Sequence, residues 1–147
     1  MVYLESKNRV TIKKLEIMKK IAIIGRILFA LPFGIMGLNH FLMKDIFLGM
    51  MSSFIPGGAY TILITGMLLI IASISIMLNK YVKIACVWLA GMLFLFITTI
   101  HIPGLFSVDP ETVGLALVEL LKDTSLMGGA IMLAVYLETQ KEIITRK

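Results

Sequence analysis

The feature that most constrains this chain is the apolar run that follows the charged pair Lys122 and Asp123. No charged residue occurs between positions 124 and 137, and charge returns only at Glu138. A helix on the surface of a water-soluble protein keeps charged residues along one face. A helix that lacks them on every face is typical of a segment that enters a lipid bilayer. We therefore interpret the chain as a membrane protein.

Composition supports this interpretation and sets the number of spans. Of the 147 residues, 59% are hydrophobic and 16% are charged, whereas soluble domains are about 45–50% apolar. The surplus apolar surface must face lipid. Because one spanning helix needs about 20 mostly apolar residues, the chain has room for four spans with short connections. The predicted fold class is all-α, an integral membrane four-helix bundle.

Four apolar segments define the predicted membrane domain, which covers residues 21–139. The predicted spans are residues 21–43, 59–78, 82–100 and 124–137. A basic segment, residues 1–20, precedes this domain, and a polar tail, residues 140–147, follows it. The connection formed by residues 44–58 contains glycines and a proline, which predict a loop. It is too apolar for a solvated loop, so we expect it to lie in the membrane interface or over the mouth of the bundle.

Local signals predict where the last two spans begin and end. The third span is followed by His101, Ile102, Pro103 and Gly104. The residue before a proline avoids helical geometry, so the helix should stop near this segment. Asp109 and Pro110 are typical of an N-cap and a first helical residue. A helix from Pro110 to Thr139 would be about 45 Å long, more than a core of about 30 Å requires. We therefore expect its first half to be interfacial or bent, with a break or kink near residues 122–125.

Small residues in the first two spans predict close helix packing. Ala30 and Gly34 are four residues apart, Gly37 follows them, and Gly66 and Ser73 are seven apart on the second span. Small residues at these spacings allow two membrane helices to approach closely. Because a serine hydroxyl can bond to a carbonyl of its own helix, Ser73 need not mark a binding site.

The distribution of basic residues predicts the orientation. Six of the 14 lysines and arginines lie in residues 1–20, and others lie in the turn at residues 79–83 and in the C-terminal tail. The opposite side of the membrane has only Lys44 and Lys122. Because basic residues concentrate on the cytoplasmic side, both termini should be cytoplasmic, as in a protein of the bacterial inner (plasma) membrane. Aromatic residues are not interleaved with the basic ones, so we expect no nucleic-acid partner.

This topology brings polar side chains to one level, at the predicted outer end. The first and third spans end there and the fourth begins there. The candidate outer-mouth polar pocket consists of Asn39, His40, His101, Lys122 and Asp123. Glu119 can join them, and histidine with carboxylate can bind a metal, shuttle protons or hold a quinone oxygen. The alternative for each histidine is a role as an interfacial anchor, where an amphipathic ring is stable.

Arg26 is the charged residue within the first span. It lies about 9 Å along the helix from Lys20 at a rise of 1.5 Å per residue. Its side chain can extend back to the cytoplasmic interface, or it can form an inner-side ion pair with a carboxylate. The sequence is compatible with both.

Searches for known catalytic and cofactor motifs find none. The chain has no Walker loop, dinucleotide-binding glycine motif, nucleophile elbow or zinc-protease motif, and no haem-attachment signature supports ligation by its two histidines. The single cysteine, Cys86, excludes an intramolecular disulfide and is interpreted as a packing residue. We therefore predict no catalytic residue and no metal ligands, and quinone is the one cofactor that we consider.

Four segments, taken in order, resemble the DoxX-like family of small four-helix membrane proteins. They are RILFA with FGIMGLNHF in the first span, FIP before the second, IHIPGL at the end of the third, and LKDTSLMGGA at the start of the fourth, which correspond to residues 26–41, 54–56, 100–105 and 121–130. The chain departs from the family at Met67, because many members carry a glutamate directly after the glycine that corresponds to Gly66. A proton or ligand role tied to that glutamate is therefore in doubt here.

The resemblance implies a limited set of functions. Some members are subunits of quinone-linked oxidoreductases, others are linked to oxidative-stress complexes, and distant relatives assist assembly of membrane proteins. We therefore expect an accessory membrane subunit linked to redox or quinone-dependent processes, which is not an enzyme on its own. The alternative is a membrane-protein assembly factor or a small transporter without a redox role. The expected partners are the lipid bilayer and an oxidoreductase or other membrane protein, and a homo-oligomer is also compatible with the sequence.

Overall fold

The computed structural model describes residues 2–51 and 55–145, with side-chain surroundings for residues 9, 11–51 and 55–139. Four of its helices are long and apolar enough to cross a membrane, and all regular structure in the described residues is helical. The all-α four-helix fold class is therefore confirmed. Phe54 of the family-like FIP segment, and Arg146 and Lys147 of the basic tail, lie outside the described residues.

Five helices form the part of the chain that the structure describes. They are α1 (Val2–Leu42), α2 (Lys44–Met50), α3 (Ala59–Met77), α4 (Val82–Phe96) and α5 (Pro110–Thr145). Helix α4 is extended by a π-helical turn, Ile97–His101, and by a short α-helical turn, Ile102–Gly104. The candidate membrane spans are Thr11–Leu42, Ala59–Met77, Val82–Gly104 and Pro110–Thr139.

The first helix is longer than the predicted span. Helix α1 runs without interruption through position 20, so the basic segment and the first span are one helical rod. The N–H groups of Ile46 and Phe47 both bond to the Met43 carbonyl, which starts α2 directly after α1. The prediction of a loop is therefore wrong for Lys44–Met50, where apolar residues gain helical hydrogen bonds that an irregular segment near lipid would lack.

The third span ends within its predicted end segment, whereas the predicted break in the fourth span is absent. The helical path continues past His101 to Gly104 because the π-helical turn places the Ile102 N–H on the Ile97 carbonyl and Pro103 in the first turn that follows. Helix α5 has no break at residues 122–125. Its predicted start is correct, since the Asp109 carboxylate accepts the Thr112 N–H at 3.0 Å, and hydrogen bonds from the Thr112 hydroxyl and N–H lower the pKa of Asp109.

Helices α1 and α3 pack with their backbones in close approach, along a seam formed by Gly34, Gly37, Gly66 and Ser73. A Cβ atom added to Gly66 would lie 2.7 Å from the His40 Cβ and 2.8 Å from the Gly37 carbonyl oxygen. The Ser73 hydroxyl donates a buried hydrogen bond of 2.8 Å to the Ala30 carbonyl oxygen. The predicted small-residue packing is therefore present, whereas Ser73 bonds to the neighbouring helix rather than to its own.

Helices α4 and α5 complete the bundle. Cys86 and Leu89 of α4 and Ala130 of α5 are fully buried in the core, so the interpretation of Cys86 as a packing residue is confirmed. Many large apolar side chains instead point outward, including Leu28, Ile71, Val87 and Met132, each more than half exposed. Such an apolar outer surface suits lipid rather than water, so the protein is a small integral membrane protein.

Candidate functional site

A cavity of about 250 Å³ lies between α1 and α5, under the short helix α2. Its walls are mainly apolar and come from every helix of the bundle. The apolar lining residues are Pro32, Phe33, Met36, Phe47, Met50, Leu69, Leu93, Phe96, Ile100 and Leu126. The volume is slightly below the roughly 300–1,000 Å³ of typical ligand pockets. It is therefore suited to one ring-sized group, with any longer part of a ligand lying outside.

Five polar residues line the same cavity: His40, His101, Glu119, Lys122 and Asp123. His101 and Asp123 are both buried, and the His101 Nε2 lies 3.0 Å from the Asp123 Oδ2. Because an ionised carboxylate can only accept, the imidazole Nε2–H donates in this bond. The neutral ring then keeps its Nδ1 as an acceptor.

The π-helical turn positions His101. In this turn the Thr99 hydroxyl donates to the Leu95 carbonyl oxygen at 2.6 Å, and the Thr98 hydroxyl donates to the Phe94 carbonyl oxygen at 2.9 Å. These bonds help to satisfy carbonyl groups where the regular α-helical pattern is interrupted. A π-helical turn adds a residue to the turn and re-aims the side chains that follow, and such turns are frequent at functional sites.

Lys122 supplies positive charge beside the buried aspartate. Its Nζ pairs with the Glu119 carboxylate, one turn earlier on α5, and lies 3.7 Å from the Asp123 Oδ1. The side chains of Lys122 and Glu119 are more than one third exposed, at 39% and 38%, whereas that of Asp123 is 7% exposed. One side of the cluster is therefore an accessible ion pair, Lys122 with Glu119, and the other side is the buried pair of His101 and Asp123.

His40 forms a second polar position in the cavity wall. Its Nδ1 lies 2.8 Å from the Met36 carbonyl oxygen, and because a carbonyl only accepts, Nδ1 carries the hydrogen. The Nε2 of the neutral ring is consequently an acceptor. The ring stacks on Phe47 of α2, with 4.2 Å between centroids and an interplanar angle of 16°, so α2 covers the cavity and fixes the imidazole.

Two of the predicted site residues, Asn39 and Arg26, do not line the cavity. Asn39 is next to His40 in sequence but does not line the cavity, since adjacent helical residues point in different directions. Arg26 precedes His40 by 14 residues on α1, or about 21 Å along the helix at 1.5 Å per residue, and its buried Nε has no hydrogen-bond partner. None of the ion pairs formed within the described residues involves Arg26, so its pairing with a carboxylate stays a prediction.

The buried pair lies in two candidate membrane spans, Val82–Gly104 and Pro110–Thr139. At the opposite end of the bundle, Lys83 and Glu138 form an exposed salt bridge of 2.7 Å. Asp123 is 15 residues before Glu138, or about 22 Å along the helix at 1.5 Å per residue. A hydrocarbon core of about 30 Å that begins near Glu138 would therefore extend past Asp123. Ionisable groups at such depth are costly and are typical of ligand or ion sites.

Several features of the site have no clear signal in the sequence. Phe47 and Met50 reach the cavity only because residues 44–50 form a helix, and Leu69 and Leu93 resemble other apolar residues of their spans. Glu119 is three residues before Lys122 and four before Asp123, and this helical spacing is the one sequence signal that links it to the site.

Comparison with known proteins gives no match: no family model matches the chain, and no curated protein or solved structure is significantly similar to it. The fold and the cavity by themselves define the class, a small four-helix membrane protein with a polar cluster enclosed by its helices.

Proposed function

We propose that this protein belongs to the DoxX-like family and is an accessory membrane subunit that binds a quinone for a redox process. The observation that carries the proposal is the apolar cavity that ends on the buried pair of His101 and Asp123. A quinone has matching chemistry, since its ring and isoprenoid tail are apolar and its two oxygens need hydrogen-bond partners.

The polar groups suit both redox forms of the ring. The oxidised ring presents carbonyl oxygens, which accept from the Lys122 ammonium group at the accessible side of the cluster. The reduced ring presents hydroxyl groups, which donate to the His40 Nε2, the acceptor left free by the bond to Met36. The Asp123 carboxylate holds the His101 ring in place. The isoprenoid tail of the quinone extends out of the cavity between α1 and α5.

The chain itself has no recognisable redox centre in its sequence, so the proposed role requires an oxidoreductase partner. The quinone site then lies at the outer end of a protein whose termini are both cytoplasmic, in the inner membrane of a bacterium. A stable subunit should co-purify with its oxidoreductase, whereas an assembly factor should bind its client only transiently.

Quinone binding is tested with the purified full-length protein in lipid nanodiscs. We expect retention of a short-chain ubiquinone or menaquinone, and an at least tenfold lower affinity after Asp123→Asn, because this change removes the charge that holds His101. Asp45→Asn is the matched control, since the Asp45 side chain is 90% exposed on α2.

Thermal unfolding of each variant separates loss of the fold from loss of the site. If the Asp123→Asn variant does not fold, the Lys122→Gln variant, changed at the accessible side of the cluster, is used as the test variant instead. The proposal is rejected if the wild-type protein retains no quinone and deletion of its gene leaves respiratory activity unchanged. Equal quinone affinity in the wild type and in the folded site variants would reject the assignment of the cavity.

A further inference from the structure

The polar cluster also contains a ligand set that is independent of quinone. His101, Glu119 and Asp123 each offer one ligand atom, and these three atoms all lie within 4.8 Å of one another. Glu119 and Asp123 are four residues apart on α5, so both carboxylates lie on the same face of the helix. His101 comes from the π-helical turn that faces them.

The charges of the cluster favour a cation. When the His101 imidazole is neutral, two carboxylates face one ammonium group, that of Lys122. One negative charge is therefore unbalanced at a site where Asp123 is buried, and an uncompensated buried charge is costly. Either a proton on His101 or a bound metal cation balances this negative charge. The neutral imidazole has one free lone pair, so it binds either the proton or the metal.

The geometry requires one small movement. Metal ligands lie about 2.0–2.2 Å from zinc, so three ligands must come within roughly 4 Å of one another. The His101 Nε2 and the Asp123 Oδ2 already satisfy this at 3.0 Å. The Glu119 side chain is 38% exposed and can rotate inward once it separates from Lys122. The hydrogen on the His101 Nε2 moves to Nδ1, which leaves Nε2 as the ligand atom.

We propose that His101, Glu119 and Asp123 bind one divalent transition-metal cation, of the zinc or manganese class, and that Lys122 competes with this cation for the two carboxylates. One imidazole nitrogen and two carboxylate oxygens suit these metals rather than calcium or magnesium, which prefer oxygen ligands alone. Three protein ligands leave coordination positions open toward the cavity, as in metal sites that bind an exogenous ligand. This site differs from the sequence-based prediction of no metal ligands.

The competition by Lys122 provides the decisive test. Chelator-treated full-length protein in detergent is titrated calorimetrically with zinc chloride, then with manganese and calcium chloride. We expect one zinc ion per chain and an at least tenfold lower affinity after Asp123→Asn or Glu119→Gln. Lys122→Met should raise the affinity at least fivefold, because the competing ammonium group is gone, and the double variant Lys122→Met with Glu119→Gln should lose this gain.

Glu111→Gln is the matched control, because Glu111 is an exposed carboxylate on the same helix and should not affect zinc binding. Folding is checked by thermal unfolding, and Glu119→Gln, at a partly exposed position, is the variant expected to keep the fold. Zinc affinity that is unchanged by Glu119→Gln, or not raised by Lys122→Met, would overturn the proposal. No quinone is present in this titration, so its outcome is independent of the proposed function.

Discussion

Helix α1 meets its two neighbours in opposite ways. Toward α3 it packs along the glycine seam, where the backbones are so close that a Cβ atom added to Gly37 would lie 2.7 Å from the Gly66 carbonyl oxygen. Toward α5 it borders a cavity of about 250 Å³. Beyond the cavity, the gap between α1 and α5 narrows where Phe29 packs on Gly129. A Cβ atom placed on that glycine would lie 3.1 Å from the Phe29 Cε2.

The difference indicates a division of roles. Helices in lipid gain stability from close packing of small residues rather than from burial of apolar surface away from water. The α1–α3 seam therefore contributes to folding, and substitutions there should cost stability. The α1–α5 side leaves this packing incomplete around buried polar groups, and substitutions there should change binding more than folding.

The largest expected effect is on stability, from one added methyl group in the seam. Gly66→Ala should destabilise the protein by about 2 kcal/mol, because overpacking a tight contact typically costs 1–3 kcal/mol. Gly128→Ala is the matched control on α5, where nothing lies within 4 Å of the added Cβ, and should be neutral or stabilising. Thermal unfolding in detergent measures both. Equal stability of the two variants would show that the seam tolerates expansion.

The next effect is on ligand affinity rather than on stability. Leu126→Phe adds volume to the cavity wall, so it should weaken quinone binding about tenfold, or about 1.4 kcal/mol, with a smaller change in unfolding temperature. Leu117→Phe, at a residue of α5 that is about half exposed and outside the cavity, should change neither quantity. Quinone titration of both variants in nanodiscs makes the comparison. Undiminished affinity in Leu126→Phe would place the ligand outside this cavity.

The smallest effect concerns a single hydrogen bond across the seam. Ser73→Ala removes the donor to the Ala30 carbonyl and should cost about 0.5–1 kcal/mol, since hydrogen bonds between membrane helices average about 0.6 kcal/mol. Ser125→Ala is the control, because its hydroxyl bonds to the Leu121 carbonyl of its own helix at 2.9 Å. Unfolding of both variants by a denaturing detergent tests the difference. A larger loss for Ser125→Ala would contradict the assigned importance of the seam.

Particular residues show what the sequence made predictable. The spacing of Ala30, Gly34 and Gly37 on α1, and of Gly66 and Ser73 on α3, predicts the close packing of these helices, because small residues at such spacings let membrane helices approach closely. Helix direction alone places His40, His101 and Asp123 at one end of the bundle. Asn39 shows the limit of that argument, because the same level on a helix does not mean the same face.

The sequence by itself determined the class of this protein. Apolar runs of spanning length and sparse charge impose four membrane helices, because backbone polar groups in lipid must bond within their own helix. Only the tertiary structure decided what the polar residues contact. The π-helical turn aims His101 at Asp123, α2 places Phe47 over His40, and Ser73 reaches across to Ala30. Each of these depends on contacts between separate helices, for which the local sequence pattern carries no signal.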